Sequence, residues 1–203
     1  MEVLKTLAVA LSLGSLAGVN LYLTVLVTGL ALHFDWVTLP PALSGLEVLS
    51  HPVLIGIAAA LYMVEFCADK IPWVDSVWDG VHTLIRPIGA AALAVAAMGN
   101  AHPVFEVAAA LLAGGMAFSS HAAKAGTRLA ANTSPEPLTN IALSLAEDGW
   151  VLGGLGLLAW SPYVALLASV VVCATILVFL PRLLRNIFRS LCDAIKKIRS
   201  CYD

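Results

Sequence analysis

The chain has 203 residues, 60% hydrophobic and only 12% charged, with a formal net charge of -2 and a mean hydropathy of +0.92. A soluble domain of this length cannot hide that much apolar surface, so a soluble globular fold is excluded. Several apolar runs reach the ~20 residues a helix needs to cross a bilayer, so the expected fold is an all-α polytopic membrane protein.

Six membrane helices are predicted in chain order, at 4–31, 51–68, 80–99, 103–128, 138–159 and 162–186. The separators "LPPALSG", "DKIPWVDS", "GNAHP", "ANTSPEP" and "WSP" each carry proline or glycine where a helix should stop. The first apolar run is long, and no small-residue site ends a short apolar core, so no cleavable signal peptide is expected. Cys67, Cys173, Cys192 and Cys201 show neither CxxC spacing nor a metal-ligand pattern and read as unpaired thiols.

The basic residues are one-sided under this reading. Lys5 precedes the first span, Lys70 and Arg86 lie near the second connection, and Lys124 and Arg128 lie near the fourth. Arg182, Arg185, Arg189, Lys196, Lys197 and Arg199 follow the last span. These are all eleven Lys and Arg residues. The positive-inside rule then places both termini in the cytoplasm, in a multi-pass protein of the inner membrane. The tail "RLLRNIFRSLCDAIKKIRS" carries an apolar stripe with basic flanks. It reads either as an interfacial helix on an anionic leaflet or as a solvated extension of the sixth span.

A shift of one hundred residues lays Ala10, Leu11, Gly14 and Ala17 on Ala110, Leu111, Gly114 and Ala117, and Asn20 on Ser120. Three spans per copy would invert one copy relative to the other. The expected organisation is therefore a 3+3 inverted repeat, residues 1–100 and 101–186, followed by a basic amphipathic cytoplasmic tail at 187–203. Gly14, Asn20, Gly114 and Ser120 would line its pathway. Close packing of small residues explains the same pattern without a pathway.

Ionisable residues gather at helical spacing in spite of the greasy background. Glu65 and Asp69 are four apart; Asp75, Asp79, His82 and Arg86 follow at four, three and four; His121, Lys124 and Arg128 at three and four. Asn140, Ser144, Glu147 and Asp148 share one side of the fifth span. Charges at membrane depth cost roughly 2.5–3.5 kcal/mol each even on lenient scales, so they should face a partner, water or the bundle interior. Asp75 and Asp79 are expected at the cytoplasmic surface. Two readings stay open: structural ion pairs that fix helix register, or a binding site formed by Glu65, Asp69, Lys70, Asp75, Asp79, His121, Lys124, Arg128, Glu147 and Asp148 around a cytoplasm-facing cavity.

The stretch "EFCADKIPWVDSVWDGVHTLIRPIGAA" resembles the signature of an uncharacterised integral membrane family, domain of unknown function 4126. The positions that carry it are Glu65, Ala68, Asp69, Lys70, Pro72, Asp75, Asp79, Arg86, Pro87, Gly89 and Ala90. A second pattern falls on His121, Lys124, Ala125, Arg128, Ser144, Glu147 and Asp148. The resemblance covers the chain to about residue 185. It implies no particular chemistry, because that family carries no assigned activity.

The leading functional expectation is a small transporter or channel for an ion or small charged solute. The alternatives are a membrane-embedded enzyme or lipid-headgroup binder acting on a phosphate-containing lipid, and a non-catalytic membrane scaffold. Asp75 and Asp79 are spaced to hold Mg²⁺, so a metal stays open. There is no DDxxD, G-x-S-x-G, HExxH or Walker A motif, which weighs against an enzyme. No cofactor and no nucleic acid are expected. Membrane lipids and the solute are the expected partners, with homo-oligomerisation left open.

Overall fold

The computed structural model describes residues 2–71, 73–99, 101–132 and 137–199, and every regular element among them is helical. The helices are α1 (Glu2–Val19), α2 (Leu21–His33), α3 (Pro52–Ala68), α4 (Val74–Met98), α5 (Pro103–Ala131), α6 (Pro137–Trp160) and α7 (Pro162–Arg199). A 3-10 helix, Pro41–Ser50, precedes α3 and is bent from it by 63°. Five helices are long and apolar enough to cross a membrane, or up to six if that bent pair is one span, so this is a multi-pass helical membrane protein.

Helix boundaries follow local chemistry. Proline occupies the first turn of α3 and of α5, where the missing N–H is an orphan in any case. The residue before each is histidine, and its side chain accepts from a backbone N–H of the first turn, Val53 for His51 and Val104 for His102.

The first predicted span is corrected. The run 4–31 is two helices that meet at Asn20, whose backbone is extended (φ -148°, ψ 101°). The Asn20 side chain accepts from Leu23 N at 2.9 Å, the usual work of an N-cap, and so starts a second helix in the middle of an apolar run. Packing shows that the chain also reverses there. Gly14 lies against Ala113 and Gly18 against Ala117, so α1 and α5 run parallel. Gly29 of α2 lies against Leu49 and Ile55, and His33 bonds the carbonyl of Ser50. Thus α2 climbs back to the end of the bundle from which α1 descended. The hairpin tip lies beside Arg86 and Asp148, near the midpoints of α4 and α6.

Two further expectations change with it. Inverted copies must run in opposite directions across the membrane, whereas α1 and α5 run the same way. The in-plane two-fold relating spans one and four is therefore not the relation between them. Gly14 and Gly114 also serve different neighbours: Gly14 meets Ala113, and Gly114 faces the carbonyl of Pro87. Second, Lys5 lines a cavity with Trp160 and Pro162, at the end of the bundle where α7 begins. In this packing the N-terminus lies at the end of the bundle where α7 begins, which differs from the expected placement of both termini on one side. The cause is that a single residue, Lys5, carried the N-terminal assignment.

Helix α7 runs without a break through the basic tail. Tail side chains beyond Arg185, with the surface helix expected from them, lie outside the described residues, as do residues 200–203 with Cys201. In a cysteine-free background, Lys5→Cys and Arg185→Cys should react with an impermeant maleimide from opposite faces of the membrane. Labelling of both from one face would overturn the hairpin.

Candidate functional site

The helical spacings seen in the sequence place charge on one side of each of four helices, and the fold turns those sides toward one another. Glu65 ends the last turns of α3, and Asp69 caps that helix. Asp75, Asp79, His82 and Arg86 lie along the buried face of α4, and His121, Lys124 and Arg128 along that of α5. Glu147 enters from α6.

Arg86 is the centre of the upper part. Its Nη2 donates to Glu65 Oε1 at 2.6 Å and stands 3.5 Å from Asp79 Oδ1. Its Nη1 donates to the Gly18 carbonyl at 3.1 Å and to His121 Nδ1 at 2.7 Å. Both Arg86 and Glu65 are 0% exposed. An arginine can only donate, so His121 Nδ1 is bare and its proton sits on Nε2, which donates to the Asp79 carbonyl at 3.0 Å. The same logic sets His82: Nδ1 donates to the Trp78 carbonyl, and Nε2 accepts from Tyr22 Oη at 3.0 Å.

Lys124 bridges the two parts. Its Nζ donates to Glu65 Oε1 at 3.2 Å and to Asp69 Oδ2 at 3.0 Å, and stands 3.3 Å from Glu147 Oε2. Arg128 grips Glu147 with two parallel bonds, Nε to Oε1 at 3.0 Å and Nη2 to Oε2 at 2.6 Å, the strong forked geometry of this pair. It also donates to Asp69 Oδ2 and to the Asp69 carbonyl, and Asp75 Oδ2 lies 3.8 Å away. Toward the end of the bundle, Asn132 donates to Asp75 Oδ1 at 2.8 Å and accepts from Asn140.

The sequence-predicted residues therefore sort into three groups. Glu65, Asp69, His121, Lys124, Arg128 and Glu147 converge as expected. Asp75 and Asp79 join them, and their expected surface position is corrected, with exposures of 0% and 2%. The reason is local: α4 begins at Val74, six residues before the predicted start, so the two aspartates are helical and face inward. Asp148 and Lys70 do not join. Asp148 accepts from Asn20 Nδ2 at 3.1 Å and from Tyr62 Oη at 2.8 Å, on the other side of α6. Lys70 Nζ donates to the Phe66 carbonyl at 2.9 Å and lies over the Phe66 ring. Burial pushes the Lys70 ammonium below its usual pKa, against the pull of the Asp148 and Asp69 carboxylates. Asn20 and Ser120 have concrete roles: Asn20 caps α2 and holds Asp148, and Ser120 shares a hydrogen bond with Ser15 at 3.3 Å.

Arg86 and Asn132 are the site residues that sequence reasoning left out. Arg86 had a signal, its register with Asp75, Asp79 and His82. Asn132 had none, because "ANTSPEP" reads as a turn.

The charged side chains are packed against one another, and none of them lines either of two cavities between helices. One, of about 220 Å³, lies between α1, α6 and α7 and is lined in part by Ser12, Ser15 and Ser169. The other, of about 480 Å³, is apolar apart from Lys5, two threonines and backbone, and lies near the end where α7 begins. Among the described residues no group of three or more His, Cys, Asp or Glu is arranged to hold a metal ion.

No curated protein and no solved structure matches the chain. Residues 7–182 match the family described as a domain of unknown function (DUF4126), and that segment holds every member of the charged cluster together with the helix break at Asn20. The chain belongs to this family.

Proposed function

We propose that the protein is a small membrane transporter or channel for an ion or small charged solute, and that the charged network of α3, α4, α5 and α6 handles the ion. The observation that carries this reading is the helix break at Asn20. Interrupted helices at membrane depth persist where they line a binding site or path, because the freed backbone groups need partners there. Here the break lies beside Arg86, which takes the Gly18 carbonyl, and Asp148, which takes the Asn20 amide. A re-entrant tip is thus tied to a network of opposite charges near the midpoints of α4 and α6. The basic residues of the second half of α7 support a cytoplasmic position for that end of the bundle.

The scaffold reading has one observation in its favour, the density of the pairing. Eight ion pairs join eight residues, and the only one more than a few per cent exposed is Glu147, at 13% of its side chain. Flux in proteoliposomes separates the two. Glu65→Gln and Glu147→Gln keep shape and much of the hydrogen bonding, so each should fold and lower flux. If both fold normally and leave ion flux at the wild-type rate, the network is structural.

A further inference from the structure

The eight residues of the network do not balance. Glu65, Asp69, Asp75, Asp79 and Glu147 bring five carboxylates, and Arg86, Lys124 and Arg128 bring three cations. His121 adds no charge, because its Nδ1 accepts from Arg86. Two negative charges in excess, buried among helices, need a bound positive partner.

The hydrogen bonds show where that partner is missing. Asp79 is 2% exposed, and neither of its carboxylate oxygens accepts a hydrogen bond. Among the described residues the cation within 4 Å of it is Arg86, at 3.5 Å, with Lys124 farther off, and the same Nη2 is committed to Glu65 at 2.6 Å. Glu65 Oε2, Asp69 Oδ1 and Asp75 Oδ2 also accept nothing, but each of those carboxylates has its other oxygen bonded. Asp79 alone in the network has both oxygens free of hydrogen bonds.

We propose that Asp79 is a proton-binding site, and that its proton is the ion the network passes across the membrane. The second half of this statement rests on the transport reading above; the first half stands without it. A proton fits better than a metal ion, because metal ions want several oxygens at once and among the described residues no group of three or more His, Cys, Asp or Glu is arranged to supply them. The charge that acts on the Asp79 proton comes from every helix packed around it. Glu65 and Asp69 face it from α3, His121, Lys124 and Arg128 from α5, Glu147 from α6, and Asp75, His82 and Arg86 share its own helix. The step is a simple one: the carboxylate takes a proton from water on one side and returns it to water on the other. No covalent bond other than O–H forms or breaks.

Infrared difference spectra of the full chain in lipid, recorded across a pH titration, test the site. Wild type should show a titrating carbonyl stretch of a protonated carboxyl that shifts in heavy water. Asp79→Asn should lose it, and Asp79→Glu should move it in frequency, which keeps the test alive should the asparagine variant fail to fold. No such band, or a band that Asp79→Asn retains and Asp79→Glu leaves unmoved, overturns the site. Proton flux is then read with a pH-sensitive dye inside vesicles of phosphatidylethanolamine and phosphatidylglycerol under a potassium diffusion potential. Wild type should acidify the lumen, and Asp79→Asn should fall to the rate of empty vesicles. A titrating Asp79 band without any dye response overturns the transport role and leaves the proton site in place.

Discussion

Arg86→Ala is expected to cost about 3–5 kcal/mol and to leave little folded protein, because it leaves the buried Glu65 with Lys124 alone and takes from Asp79 the cation it has within 4 Å. It also frees the Gly18 carbonyl and the bare His121 Nδ1 at the same point. The cost lies in the loss of compensation and much less in the loss of one attraction. The second variant should therefore be partly rescued: Arg86→Ala with Glu65→Gln also removes one of the two buried carboxylates that lose Arg86, and should recover a measurable part of the stability. A double-mutant cycle read by unfolding in detergent gives the coupling between the two. Arg182→Ala, exposed and after the last apolar run, should change stability by less than about 0.5 kcal/mol. A loss at Arg86 as small as that at Arg182 would show that the network does not hold the helices together.

Gly18→Ala should cost about 1–3 kcal/mol and lower flux as well. The added methyl would meet the backbone of Ala117, with Cα at 2.6 Å and its carbonyl closer still. Backbone cannot step aside as a side-chain end can, so α1 must move off α5. That motion carries the Gly18 carbonyl away from Arg86 and tilts the hairpin tip that holds Asn20 against Asp148. Gly115→Ala and Gly156→Ala are the controls. A methyl meets nothing within 4 Å at either, so each should be neutral or slightly stabilising through a stiffer unfolded chain. Thermal unfolding and flux on the same preparations decide it. Equal behaviour of Gly18→Ala and Gly115→Ala would mean that the α1–α5 contact is looser than it stands here.

The small residues of α1 and α5 also explain a misleading signal. A shift of one hundred residues lays Gly14 on Gly114 and Ala17 on Ala117 as members of a repeat. In the fold, small residues of the same two stretches are partners in one parallel contact, Gly14 with Ala113 and Gly18 with Ala117. Touching helices need small residues at the same levels, and such a pattern is silent about symmetry.

Composition and helical spacing alone determined the class of the molecule, its apolar helices and most of its charged site. Apolar runs this long have no other home than a bilayer. Charges three and four apart must share a helix face, which already picked out Glu65 with Asp69 and Lys124 with Arg128. Three things were decided only by tertiary structure. The reversal at Asn20 depends on α2 finding Leu49 and Ile55 and on Asp148 receiving the Asn20 amide, contacts far away in sequence. The burial of Asp75 and Asp79 depends on Arg128 and Asn132 arriving from the end of α5, beside the Arg86 of their own helix, to compensate them. The separation of Asp148 from Glu147 follows from the helix itself: neighbours in sequence point about 100° apart, and which of the two meets Arg128 is set by how α6 is rotated against α5.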